Sequence, residues 1–143
     1  MKKLIFFLLA MASAQVPACS RLGKEPSLAE KFVEADSVAL VKIISTRLVV
    51  DDTKKEVWDR ETVEATYDVL ETFKGDHSRP VVREMVFGPG NCTLPLLTGN
   101  IYVLFIENGT RSISSMNGTE MLLNVDGTEV KPMLAQLRAL KGH

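Results

Sequence analysis

The chain has 143 residues, 45% of them apolar, with 17 basic against 18 acidic side chains and a formal charge of −1. That length suits one compact domain with an ample core and no more. Loss of Lys2 and Lys3 with an N-terminal leader would take the charge to −3, which excludes an electrostatic grip on nucleic acid; no stretch reads as disordered, low-complexity or repeated.

The first segment has the three parts of an export signal. Lys2 and Lys3 give a positive start, Leu4 to Met11 form a short apolar run, and Ala12-Ser13-Ala14 supplies small residues for a peptidase. The run is too short to cross a bilayer, which takes about 20 residues. Residues 1–18 are therefore expected to be a signal peptide, cut after Ala14 or Ala18, and residues 19–143 a single exported domain, periplasmic or secreted. The two cysteines, Cys19 and Cys92, are expected to pair, because even cysteine counts in exported chains point to a disulfide. Val16-Pro17-Ala18-Cys19 also loosely matches a lipobox, in which a lipidated Cys19 would anchor the chain at the cell envelope and leave Cys92 unpaired.

Downstream, Ser27 and Glu30 have the spacing of a capping box, and Leu28, Ala29, Phe32 and Val33 fall on one face of a short helix. Ser37 to Val50 reads as a long strand apolar on both faces, broken by the charged turn Asp51-Asp52-Thr53-Lys54-Lys55. Glu61 to Phe73 alternates, with Val63, Ala65, Tyr67, Val69 and Phe73 on the core phase. Lys74-Gly75-Asp76 ends it. Val81 to Phe87 is a third strand opened by Pro80, and Ile101 to Ile106 is a continuous apolar strand after a Gly- and Pro-rich loop. Asn108-Gly109, Asn117-Gly118 and Asp126-Gly127 are tight-turn dipeptides. Glu129 to Leu140 is a helix with Val130, Met133, Leu134, Leu137 and Leu140 inward, stopped by Gly142. The fold class is mainly β: a small closed barrel of five to six strands with a short N-terminal helix and a C-terminal helix. Val63, Tyr67, Val69, Phe73, Ile101, Val103 and Phe105 are its expected core.

Three strings carry a family resemblance. Phe32-Val33-Glu34-Ala35-Asp36-Ser37-Val38 leads into the long strand. Tyr67-Asp68-Val69-Leu70-Glu71-Thr72-Phe73-Lys74-Gly75 is a strand ending in "FKG". Cys92-Thr93-Leu94-Pro95-Leu96-Leu97-Thr98-Gly99-Asn100-Ile101-Tyr102-Val103-Leu104-Phe105 joins a cysteine, a leucine-glycine turn and a "YVLF" strand. In order and spacing they resemble netrin-like domains, the family that includes the tissue inhibitors of metalloproteinases. The resemblance implies an OB-like barrel with Cys19 at its mouth bonded to Cys92. It implies a non-enzymatic module whose partner is another protein, with Cys19, Ser20 and Arg21 as the candidate contact residues. In the inhibitors of that family a mature N-terminal cysteine chelates the catalytic zinc of a metalloprotease through its free amine and carbonyl, and the next side chain enters the specificity pocket. Carried over, those residues are Cys19 and Ser20, and the mechanism requires cleavage after Ala18. Members commonly begin Cys-x-Cys; here Arg21 stands at the second cysteine, so a second bridge cannot form.

Enzyme chemistry finds little support. His77 lies in a charged loop and His143 is the last residue, and no HExxH, GxSxG, P-loop or Cys-x-x-Cys pattern occurs. Asp51, Asp52, Asp59 and Glu61 cluster around Trp58 without EF-hand spacing and beside Lys54 and Lys55, so a solvated hairpin is expected and no metal or cofactor. The aromatics Phe73, Tyr102 and Phe105 sit in apolar strands, where packing rather than base stacking is their expected role. Asn91, Asn108 and Asn117 each open an Asn-x-Thr triplet, but two overlap Asn-Gly turns that already explain them.

Overall fold

A computed structural model describes residues 24–55, 60–86, 93–107, 111–123, 127–128 and 130–142. Among the described residues two α-helices and five strands, with a single 3-10 turn at Ser115–Asn117, follow in the order α1 (Leu28–Glu34), β1 (Ser37–Val50), β2 (Glu61–Lys74), β3 (Val81–Met85), β4 (Ile101–Ile106), β5 (Glu120–Leu122) and α2 (Val130–Lys141). The protein is mainly β. All five strands form one antiparallel sheet in the order β3-β2-β1-β4-β5. Three hairpin-linked strands with a fourth returning beside the first make a Greek key, to which β5 adds an outer strand. The described ladders leave the sheet open; one parallel bridge, Arg83 to Ser112, reaches from β3 to the chain ahead of β5.

Each face of the sheet carries its own core. One is covered by loops and contains Val41, Ile43, Tyr67, Val82, Tyr102 and Leu104. The other is covered by both helices and contains Val38, Leu40, Phe73, Val103, Phe105, Leu134 and Leu137. The alternation of β4 divides Tyr102 and Leu104 from Val103 and Phe105, which is why that strand reads as apolar throughout.

β2 departs from the simple alternation. Its pairing with β1 skips between Val38/Ala39 and Leu40/Val41, which leaves Phe73 and Leu70 as extra residues on β2; a third shift leaves Ile44 extra on β1. Each extra residue turns the following side chains to the opposite face. Phe73 therefore packs under the helices while Tyr67 packs under the loops, although both lie on one sequence phase. Val69 is 38% exposed rather than buried, and Val63 and Ile101 are half-buried. The remaining expected core residues, Tyr67, Phe73, Val103 and Phe105, are buried.

The α1 capping box is present, with Ser27 N–H donating to Glu30 at 2.7 Å and Glu30 N–H to Ser27 Oγ at 3.3 Å. Its buried side is narrower than expected: Phe32 is covered, whereas Ala29 and Val33 face solvent. β1 is buried on both faces only to Val41. From Ile44 onward β1 is largely exposed, although the first half of β2 on which it pairs keeps Glu64, Ala65 and Tyr67 buried.

Candidate functional site

Cys19, Ser20, Arg21 and Cys92 lie outside the described residues, as do the leader, Trp58, Asp59 and His143. After Cys92, Thr93 is buried and Leu94 packs on the loop-side core. Tyr102 fixes this segment: its hydroxyl donates to Pro95 O at 2.7 Å and accepts from Leu97 N–H at 2.9 Å. Gly99, with φ +89°, donates its N–H to Ile43 O at 2.8 Å, so the leucine-glycine turn continues the edge of β1.

The "FKG" string has a distinct mechanical role. Phe73 enters the helix-side core, and Lys74 Nζ donates to the carbonyls of Phe32 (2.9 Å), Val33 (2.9 Å) and Ala35 (2.5 Å). Those are orphan acceptors at the end of α1, where a cation is favoured. Gly75, at φ +71°, runs so close to β1 that a Cβ there would lie 2.3 Å from Asp36 O. Together these residues lock α1 onto the end of the β1–β2 ladder.

His77 is not a free loop residue. Its Nε2 lies 3.2 Å from Lys74 O, which can only accept, so Nε2 carries a proton, and Nδ1 lies 3.3 Å from the buried Tyr67 hydroxyl. Burial pushes the Tyr67 hydroxyl above its ordinary pKa. Glu64 is buried between Arg83 and Arg47: Arg83 Nε and Nη2 lie 2.9 and 2.7 Å from Oε2, and Arg47 donates to Oε1. The hydrogen bonds from Arg83, then those from Arg47, hold its carboxyl below the usual range.

Glu84 is the opposite case. It lies across from Val63 on the loop-covered side, 5% exposed. Oε1 accepts from Met85 N–H at 2.7 Å and the carboxylate also from Leu94 N–H, while Oε2 has no partner. Burial pushes this carboxyl up to about 7.

A groove of about 740 Å³ opens between α1, β5 and the start of α2, lined by Leu28, Lys31, Met121, Leu122, Val130 and Met133 among others. At its edge, Asn117-Gly118-Thr119 acts on the backbone. Phe105 N–H donates to Thr119 Oγ1 at 3.0 Å, Asn117 Nδ2 donates to Phe105 O at 2.9 Å, and Thr119 N–H donates to Asn117 Oδ1 at 3.2 Å. The Asn117 amide is thereby buried and committed, which a glycan would not allow in the folded chain. Asn91 and Asn108 lie outside the described residues.

Of the acidic hairpin residues, Asp51 accepts from Thr53 N–H and Oγ1 at 3.0 and 2.5 Å, an internal turn. Among the described residues, no three His, Cys, Asp or Glu side chains come together to hold a metal. Nor is any described helix long and apolar enough to cross a membrane. No family model matches the chain, and no curated protein does either.

Proposed function

We propose that the chain is an exported, non-enzymatic protein-binding module on a netrin-like, OB-like barrel. The observation that carries this reading is the Greek-key order β3-β2-β1-β4-β5, in which all three resembling strings meet. An OB fold is a partly open five-stranded Greek-key barrel, and the Arg83–Ser112 bridge lies where such a barrel would close. In that barrel the loop-side cluster around Tyr102, Leu104 and Ile43 fills the interior, and the helices pack outside. The "FKG" residues support the likeness further, because each has a task that its chemistry suits.

In this reading Cys19 and Cys92 are bonded and strap the mature N-terminus to the barrel. A free Cys19 amine, followed by Ser20 and Arg21, would permit metalloprotease inhibition; a lipidated Cys19 would make the chain an envelope lipoprotein instead. Intact mass and non-reducing peptide mapping of the exported protein separate these outcomes. A Cys19–Cys92 peptide supports the module, and two free thiols overturn the strap. A first residue other than unmodified Cys19 removes the inhibitor mechanism. The binding role itself is tested by photo-crosslinking the exported protein in its native envelope, and recovery of the chain alone overturns it.

A further inference from the structure

The outer edge of the β1 hairpin goes beyond that reading. β4 covers β1 only from Ser37 to Lys42, and Gly99 and Asn100 extend the cover to Ile43. From Ser45 to Val50, β1 pairs with β2 on one side, and no described strand pairs with the other. Asp51 N–H donates to Arg60 O, so in the alternating antiparallel pattern residues 45, 47, 49 and 51 face β2. Thr46, Leu48 and Val50 then turn their N–H and C=O groups outward.

This edge lacks the devices that ordinarily blunt one. It has no proline and no pairing shift past Ser45. Its one charged side chain, Arg47, is drawn across to Glu64 on β2. Leu48 and Val50 are 57% and 53% exposed, and Leu97, on the neighbouring loop, is 47% exposed. Thr98 of that loop touches Thr46 through their hydroxyls at 3.3 Å.

We infer that the Ser45–Val50 edge of β1 pairs antiparallel with the same edge of a second copy of this chain, about a twofold axis at Leu48. The register is self-complementary. Leu48 meets Leu48 of the second copy, and Thr46 meets Val50, so every outward N–H finds an outward C=O. Arg47 falls opposite Val49 and Asp51 opposite Ser45, so no like charges are opposed along the segment. An interface in which one patch meets itself closes as a dimer instead of propagating. It makes one sheet that runs across both copies.

Sedimentation equilibrium of the exported chain, with and without reductant, tests this. A dimer in both conditions is expected, with concentration-dependent amide-exchange protection at Thr46, Leu48 and Val50. Leu48→Pro removes an N–H that serves no intrachain bond, and Leu48→Lys puts a charge at the axis; each is expected to weaken association at least about tenfold while thermal unfolding of the monomer stays close to the parent's. Val49→Pro, whose N–H faces β2, should instead lower the unfolding temperature. A monomer at all concentrations overturns the inference, including one that takes an extended segment of another protein on this edge. So does a dimer that survives both Leu48 variants or whose protection lies elsewhere.

Discussion

Glu84 contributes stability that is lost as pH rises from acid to neutral. In the unfolded chain its carboxyl titrates near the ordinary 4.5, and in the fold near 7. Between those values the folded state holds a proton that the unfolded state has released, so the contribution of Glu84 is greatest below about 4.5 and is lost as pH climbs through 7. Carrying a carboxyl from 4.5 to about 7 corresponds to roughly 3 kcal/mol at the plateau. That is a large share of a small domain's net stability. Burial on the loop-covered side, with Oε2 lacking a partner, is the cause. Glu84→Gln keeps the acceptor for Met85 and Leu94 but cannot ionise. Urea unfolding at a series of pH values from 5 to 8 should show the parent losing stability relative to Glu84→Gln as pH rises. The carboxylates held low by partners, Glu64, Glu71, Asp51 and Asp76 among them, stay ionised over that range and cancel in the difference. A gap that is constant with pH would refute the reasoning.

The other expectations concern packing and backbone. Phe105→Ala should cost about 3 to 5 kcal/mol, because Phe105 is fully buried under the helices, whereas Thr66→Ala, on an exposed rung beside Ser45, should cost no more than about 0.5 kcal/mol; equal costs in urea would mean the faces are wrongly assigned. Gly75→Ala should destabilise by about 2 kcal/mol or more, through both its positive φ and the approach to Asp36 O. Gly99→Ala, with positive φ but open space around it, should cost about 1 kcal/mol, so a reversed order in thermal unfolding would be decisive against the contact. Thr119→Val preserves shape but strands the Phe105 N–H, at a cost of about 1 to 3 kcal/mol, and Thr119→Ser should restore most of it; indistinguishable Val and Ser variants would show that the hydroxyl does not matter.

Much of the fold was legible because several local signals agreed. Ser27 and Glu30 mark the start of α1, and the spacing of Val130, Leu134 and Leu137 marks α2. β1 and β4 end where their apolar runs end. The phase of β2 was less legible, because one extra residue reverses faces without altering composition. Leu70 was the one trace of it: an apolar side chain on the otherwise polar series Thr66, Asp68 and Thr72. Val33 reads inward by helical spacing, yet seven residues are too few for a broad apolar stripe. Glu84 was hidden for another reason. In Val81-Val82-Arg83-Glu84-Met85 two adjacent charges cannot both face water on a half-buried strand, and alternation alone does not say that Arg83 takes the outer side. The candidate contact residues Cys19, Ser20 and Arg21 owe their reading to family resemblance, since nothing in their own spacing distinguishes a strap from a lipid anchor.

A common principle links the places where the sheet's regular bonding stops. Where α1 meets the end of β2, Lys74 takes three helix carbonyls. Past the short β5 ladder, Thr119 and Asn117 take the N–H and C=O of Phe105, standing in for the next rung. Where the loop after Cys92 crosses the sheet, the Tyr102 hydroxyl takes Pro95 O and Leu97 N–H. In each case a side chain supplies the partner that a neighbouring strand or helix turn would otherwise supply, so that buried backbone groups stay bonded. Lys74 and Tyr102 belong to the strings that resemble the netrin-like family, and Asn117 and Thr119 bond to Phe105, the last residue of one of them. Their chemistry gives those strings a structural role of their own. The outward groups of Thr46, Leu48 and Val50 differ in being left open on the surface. The sheet bonds its backbone by side-chain substitution at three breaks, whereas the apolar Ser45–Val50 edge is paired by no described strand, which is why we infer that a second copy completes the bonding there.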